Sequence, residues 1–233
     1  MIYPCQQGSF GFTPEISQFV AECPDCEIIR KEFNILDANW HRNTVQDVQR
    51  DLLKSYNVVV NTDSDEFLFA ECGLQIIIND FISTKKHALR ATAYQIIHQI
   101  DSEPTLTFAQ NERILEFRGS AWRVQDYDKT LITKVPLKYC RGFHATVGNA
   151  MNEHSYDNRL KLLHLQQVDL EQFYSSYVQR IKSEHFVIDA FGIKGNENKK
   201  VVEDAFRTNN RSSIGIGHVL SERIDIPTSW KMI

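Results

Sequence analysis

Apolar positions recur along this chain in two periods, one suited to helices and one to buried strands. Val45, Val48, Leu52 and Leu53 repeat at helical spacing behind Asn43 or Thr44, either of which can cap a helix start. Tyr56–Asn61 is a β-branched run, the pattern of a strand covered on both faces. Glu27–Phe33, Leu74–Ile78 and Leu160–Leu165 read as further strands. His87–Ile100 fits a helix with Leu89, Ala93, Ile96, Ile97 and Ile100 along one side. Two helix starts are marked by their chemistry. Thr13-Pro14-Glu15 offers a hydroxyl cap, a proline at the first helical position and a carboxylate at the positive end of the dipole, for a helix to about Glu22. Asp169 precedes Gln172 by three residues, and Val168 with Phe173 forms a hydrophobic staple around it. Leu170, Phe173, Tyr174, Tyr177 and Ile181 supply that helix's apolar side. Asp101–Lys134 is polar, aperiodic and long, the character of an active-site loop. Lys182–Arg211 is charged and Asn-rich and reads as a mobile surface segment, before the chain closes on Ile224–Trp230. Strands alternating with helices predict an α/β fold with ligands at the carboxyl ends of its strands.

Candidate chemistry gathers where the Tyr56–Asn61 strand ends. The stretch NVVVNTDSDEF, Asn57–Phe67, places three carboxylates within four positions, and these repel one another unless water or a cation compensates them. Asp63 and Asp65 flank Ser64, so in a tight turn both can reach one cation, and hard oxygen ligands suit Mg²⁺ or Mn²⁺. A second such pair, Asp126-Tyr-Asp128, lies in the polar segment; the first is set apart by the apolar strand before it and Phe67-Leu68 after it. Among the eight histidines, His164 sits inside an apolar stretch, where an imidazole needs a polar partner, and His144 follows Gly142-Phe143. His41, His87, His98, His154, His185 and His218 read as structural or surface residues.

Composition narrows the partners. The net charge is −4 and the Lys and Arg residues are scattered, with only short pairs at Lys85-Lys86 and Lys199-Lys200, so a nucleic-acid partner is not expected. No apolar run approaches the roughly 20 residues that span a bilayer. MIYPCQQGSFGF has neither the basic nor the apolar region of a secretory signal. Five cysteines at irregular spacing suit a reducing compartment, and Cys23-Pro-Asp-Cys26 lacks the second pair of a zinc site. A cytoplasmic location, free or at a membrane periphery, is the expectation.

VVVNTDSDEFLF resembles the metal-binding strand and turn of GT-A glycosyltransferases, especially the family 2-like group with an apolar strand followed by DxDEF. Asp128-Lys-Thr-Leu-Ile-Thr-Lys-Val-Pro-Leu-Lys138, then Gly142-Phe-His144, resembles that group's "K-p-L-I, then G-F-H" segment. Leu162-Leu-His164-Leu, then Val168-Asp169, resembles its "L-x-H-L, then a helix beginning with Asp", and Ile226-Pro-x-x-Trp230 also fits. The motifs keep their order over about residues 55 to 185.

The resemblance implies a GT-A-like single domain with a mostly parallel sheet flanked by helices over residues 1–185, and a C-terminal extension, 186–233, packing on it or trailing from it. It implies metal-dependent transfer of a sugar from a UDP- or GDP-linked donor to a glycan, lipid or small-molecule acceptor, with Mn²⁺ or Mg²⁺. Asp65 would be the direct ligand, Asp63 would touch the metal through water or meet the ribose, and Glu66 would brace the turn. His144 and His164 would return to the metal or pyrophosphate. Asp126 or Asp128 would take the acceptor's proton, and Lys129, Lys134 and Arg141 would offset phosphate charge. One departure is plain. Met1–Ser9 and Thr13-Pro-Glu15 resemble the family's second unit, so its first strand is expected to be missing, and Cys5-Gln6-Gln7 stands where that unit has an acidic residue. A non-catalytic GT-A-like binding domain and a metal-dependent phosphoester hydrolase are the alternatives.

Overall fold

A computed structural model describes residues 2–6, 29–33, 38–107, 113–140, 143, 145–147, 154–182, 198–208 and 222–232. Strands β1 (Ile2–Gln6) and β2 (Ile29–Phe33) form a parallel pair with Ile2 opposite Ile29. Helix α1 (Ala38–Leu52) leads to β3 (Val59–Val60) and β4 (Glu66–Ala70), then α2 (Leu74–Ser83) and β5 (Ala88–Ile97). Next come β6 (Ser120–Arg123), β7 (Lys129–Thr133), the long β8 (His154–Gln167), α3 (Leu170–Lys182), α4 (Lys199–Thr208) and β9 (Glu222–Asp225).

Strands β3 to β9 make a mixed sheet built on β5. Parallel β8 lies along one edge of β5, while antiparallel β7 and β6 share the other, covering its first and second halves in turn. Beyond these, β4 pairs with β8, β3 with β7 and β9 with β6, all antiparallel. The expected mostly parallel sheet is therefore corrected: within this sheet, among the described residues, only the β5–β8 pairing runs parallel. The fold class is α/β, with a mixed sheet flanked by helices.

Several elements differ from their sequence reading, for physical reasons. Leu74–Ile78, expected as a strand, opens α2. Gly73 turns the chain at φ 87, a conformation glycine adopts without a Cβ clash, and Ile77 and Phe81 then face inward one helical turn apart. His87–Ile100, expected as a helix, is dominated by β5. Both edges of β5 are paired, burial alternates from Leu89 through Ala91 and Ala93 to Gln95 as in a strand, and Ile96 and Ile97 are buried as well, so the helical spacing is coincidental. The expected loop Asp101–Lys134 contains β6 and β7, whose buried Ser120, Lys129, Thr130 and Thr133 gave it a polar look. Within the expected mobile tail, residues 199–208 form α4, which packs Val202, Ala205 and Phe206 against Ile97, Trp122 and Phe173. The Tyr56–Asn61 strand shortens to two residues, and the helix expected from Asn43 starts at Ala38. The helix expected from Thr13 lies outside the described residues.

Helix α1 docks through two glutamines. Gln46 Oε1 accepts the Tyr139 N–H at 2.6 Å and Gln49 Oε1 accepts the Leu137 N–H at 2.8 Å. Gln49 Nε2 donates to the Tyr139 hydroxyl at 2.8 Å, and burial pushes that phenol up to about 12. No helix among the described residues is long and apolar enough to cross a membrane.

Candidate functional site

The acidic turn joins β3 to β4 and closes on itself. Glu66 N donates to the Asp63 carbonyl at 3.1 Å, and the Glu66 carboxylate accepts the Asp63 N–H at 3.0 Å. Because β3 lies beside β7, Lys129 at the start of β7 reaches the turn. Its ammonium sits 2.6 Å from Asp63 Oδ2 and 2.5 Å from Glu66 Oε1. Burial alone would lower Lys129, but the Glu66 and Asp63 carboxylates outweigh it and hold the ammonium above its usual range. Glu66 is pushed up, chiefly by burial, against the pull of Lys129. One ammonium serves two carboxylates, the buried Glu66 and the partly exposed Asp63. Glu66 thus braces the turn.

Asp65 faces the other way. Its carbonyl accepts the Leu165 N–H at 2.7 Å, which clamps the turn to β8, and its Oδ2 lies 3.5 Å from His164 Nε2. About a third of each of the Asp63 and Asp65 side chains is exposed (33% and 31%), so both reach solvent. Strand register sets the neighbours: Glu66 on β4, His164 on β8 and Gln95 on β5 form one row across three strands. Gln95 Oε1 is 2.6 Å from His164 Nδ1, and the Tyr127 ring lies 4.8 Å from the imidazole. His41 on α1 completes the surroundings. Burial keeps it below the usual imidazole range against the opposing pull of Asp63, with a smaller lowering from Lys129.

The fold therefore brings together Asp63, Asp65, Lys129 and His164 of the residues singled out in the sequence. It places others elsewhere. Asp128 is buried, 2.6 Å from Arg123 Nη2, and accepts the Ala93 N–H at 2.9 Å and the Tyr156 hydroxyl at 3.0 Å, so it brackets β5, β6 and β8 internally. Asp126 is exposed on the turn before it. Lys134 donates to the Thr84 and Phe81 carbonyls at 2.7 and 3.1 Å and caps the carboxyl end of α2. Arg141 and His144 lie outside the described residues; Phe143 between them is buried at φ 62 against His41 and Tyr139. Gln95 was not singled out, although a glutamine interrupting the apolar run Tyr94–Ile97 carries the same signal as His164, a buried polar group in need of a partner. His41 carries no such signal.

Among the described residues, no group of three or more His, Cys, Asp and Glu side chains is arranged to hold a metal ion. At the turn, the Asp65 carboxylate and the His164 imidazole lie 3.5 Å apart. Comparison with protein-family models, with curated proteins and with solved structures finds no match for this chain.

Proposed function

We propose that this chain is a glycosyltransferase of GT-A type that uses a divalent cation to act on a nucleotide-diphosphate sugar. The observation that carries the reading is the Asp65–His164 pair, assembled across 99 positions at 3.5 Å. Bonds of about 2.0–2.1 Å to one octahedral ion place neighbouring donor atoms about 2.8–3.0 Å apart, so the pair would close by about 0.5–0.7 Å to share an ion. Mn²⁺ and Mg²⁺ commonly take one or two protein ligands and fill the rest of their shell with water and substrate phosphate, so two donors suffice. Such an ion would neutralise charge building on the departing pyrophosphate.

The chain's own residues supply the rest. Lys129 holds Asp63 and Glu66 in place, which keeps the turn rigid against β7. Asp63, a third exposed, is placed to meet a ribose hydroxyl or a metal-bound water. Of the two carboxylates considered for the acceptor's proton, Asp126 is at the surface, whereas Asp128 is committed to Arg123. The acidic turn at the end of a sheet strand and the parallel β1–β2 pair both support a GT-A-like reading.

A second reading is favoured by Lys129, whose ammonium already supplies a positive charge at the turn. It is a non-catalytic relative that binds nucleotide without metal. Calorimetric titration of UDP and GDP with Mn²⁺ and then EDTA separates the two. Binding that requires Mn²⁺ supports the transferase, binding indifferent to EDTA supports the second reading, and no binding of either nucleotide contradicts both.

A further inference from the structure

We infer that Gln95 is a positioning residue that fixes the tautomer of His164 and so keeps the Asp65–His164 pair from closing on itself. The inference draws its purpose from the cation-dependent reading above, but its geometry stands apart from it. Gln95 is fully buried on β5, directly opposite His164 on β8. Its Nε2 lies 3.0 Å from the His164 carbonyl and 3.2 Å from the Ile96 carbonyl. Carbonyl oxygens only accept, so the nitrogen end of the amide is held there and the oxygen end faces His164 Nδ1 at 2.6 Å. An amide oxygen also only accepts. The contact is a hydrogen bond only if Nδ1 carries the proton.

A neutral imidazole has a single N–H. With it on Nδ1, Nε2 presents its lone pair toward Asp65 Oδ2, 3.5 Å away. Two electron-rich atoms facing at that distance repel one another, and a cation between them turns the repulsion into two bonds. This is the arrangement of metal-binding histidines, whose second nitrogen donates to an oxygen that orients the ring. The other tautomer would let Nε2–H donate to Asp65 and satisfy the pair internally. Free histidine side chains in water prefer that other tautomer, so the fold selects against the default.

His98 provides the internal control. Its Nδ1 accepts the Leu170 N–H at 3.2 Å and its Nε2 lies 3.1 Å from the Glu103 carbonyl, which requires the proton on Nε2. The two histidines therefore carry opposite tautomers, although each has a carboxylate beside it, Asp169 Oδ2 at 3.7 Å from His98 Nδ1 and Asp65 Oδ2 at 3.5 Å from His164 Nε2.

The test is a long-range ¹H–¹⁵N correlation spectrum of the metal-free protein, recorded where both rings are neutral. The expected pattern has a pyrrole-type Nδ1 and a pyridine-type Nε2 for His164, and the reverse for His98. A wild-type His164 protonated on Nε2 overturns the inference, and this holds whether or not any variant folds. In Gln95→Leu the His164 ring is expected to revert to Nε2–H, while Gln95→Glu, which can also accept from Nδ1–H, retains the wild-type pattern. Persistence of Nδ1–H in Gln95→Leu also overturns it. Mn²⁺ affinity, read from the electron paramagnetic resonance of unbound Mn²⁺, is expected to fall about 10–100-fold in Gln95→Leu. An Nδ1–H ring in a wild-type protein that binds no Mn²⁺ would support the positioning role and remove the cation-dependent reading.

Discussion

Asp169, just past the end of β8, and Asp65, clamped to the same strand through Leu165, are carboxylates with opposite fates. Asp169 is buried and satisfied from within. Its Oδ1 accepts the Glu171 and Gln172 N–H groups at 2.9 and 3.2 Å, capping α3, and its Oδ2 accepts the Leu106 N–H at 2.9 Å beside the Arg118 guanidinium at 3.5 Å. Arg118 is in turn bound by the carbonyls of Val168, Pro104 and Phe117 at 2.6, 2.9 and 2.8 Å. Asp65 instead keeps its carboxylate partly in water and turns one oxygen toward an imidazole nitrogen. Residue type does not separate the two. The difference lies in the partners, since backbone amides and a guanidinium complete one carboxylate, whereas the other keeps partly to water beside an imidazole.

The contrast can be broken from its structural side first. Asp169→Ala removes a helix cap and one of the two carboxylates beside the buried Arg118 guanidinium, leaving only Glu103 at 3.7 Å, so it is expected to cost about 2–4 kcal/mol in urea unfolding. A cost under about 1 kcal/mol would show that the network is not closed as described. Lys129→Met comes next, at about 1–3 kcal/mol, because Glu66 (1% exposed) would lose its cation while Asp63 could turn to water. Adding Glu66→Gln should recover part of that loss, and a double-mutant cycle with no coupling would refute the shared-ammonium account.

Alkaline pH gives a smaller effect. Tyr139 and Lys129 both bind their protons more tightly when folded than when unfolded. Their stabilisation is complete below the unfolded values, about 10 and about 10.4, and is lost as pH rises through the folded ones. Unfolding free energy should therefore decline above about pH 10, and a rise there would contradict both assignments.

What the sequence made legible was local. The acidic turn announces itself because strand, carboxylates and following apolar residues are contiguous, and Asp169 is readable as a cap because the N–H groups that donate to it lie two and three residues on. Glu66 as a brace is equally short-range. The rest depends on distant pairing. Leu74–Ile78 and Ala88–Ile97 exchanged helix and strand because a strand covered on both faces and a short apolar helix have similar composition, and only partners on both edges decide which forms. Asp128 and Lys134 resembled phosphate or proton-transfer residues until the fold set them against Arg123 and the end of α2. Gln95 acquires its meaning from the β5–β8 register, which no local pattern contains.

The most direct test measures stability and nucleotide binding on the same Asp65→Asn protein. As a carboxylate about a third exposed (31%), Asp65 should be replaceable within about 0.5 kcal/mol of wild-type unfolding free energy, while Mn²⁺-dependent binding of UDP or GDP disappears. Unchanged nucleotide binding in that variant, or loss of folding along with it, would contradict the claim that the turn at Asp65 is built for a ligand.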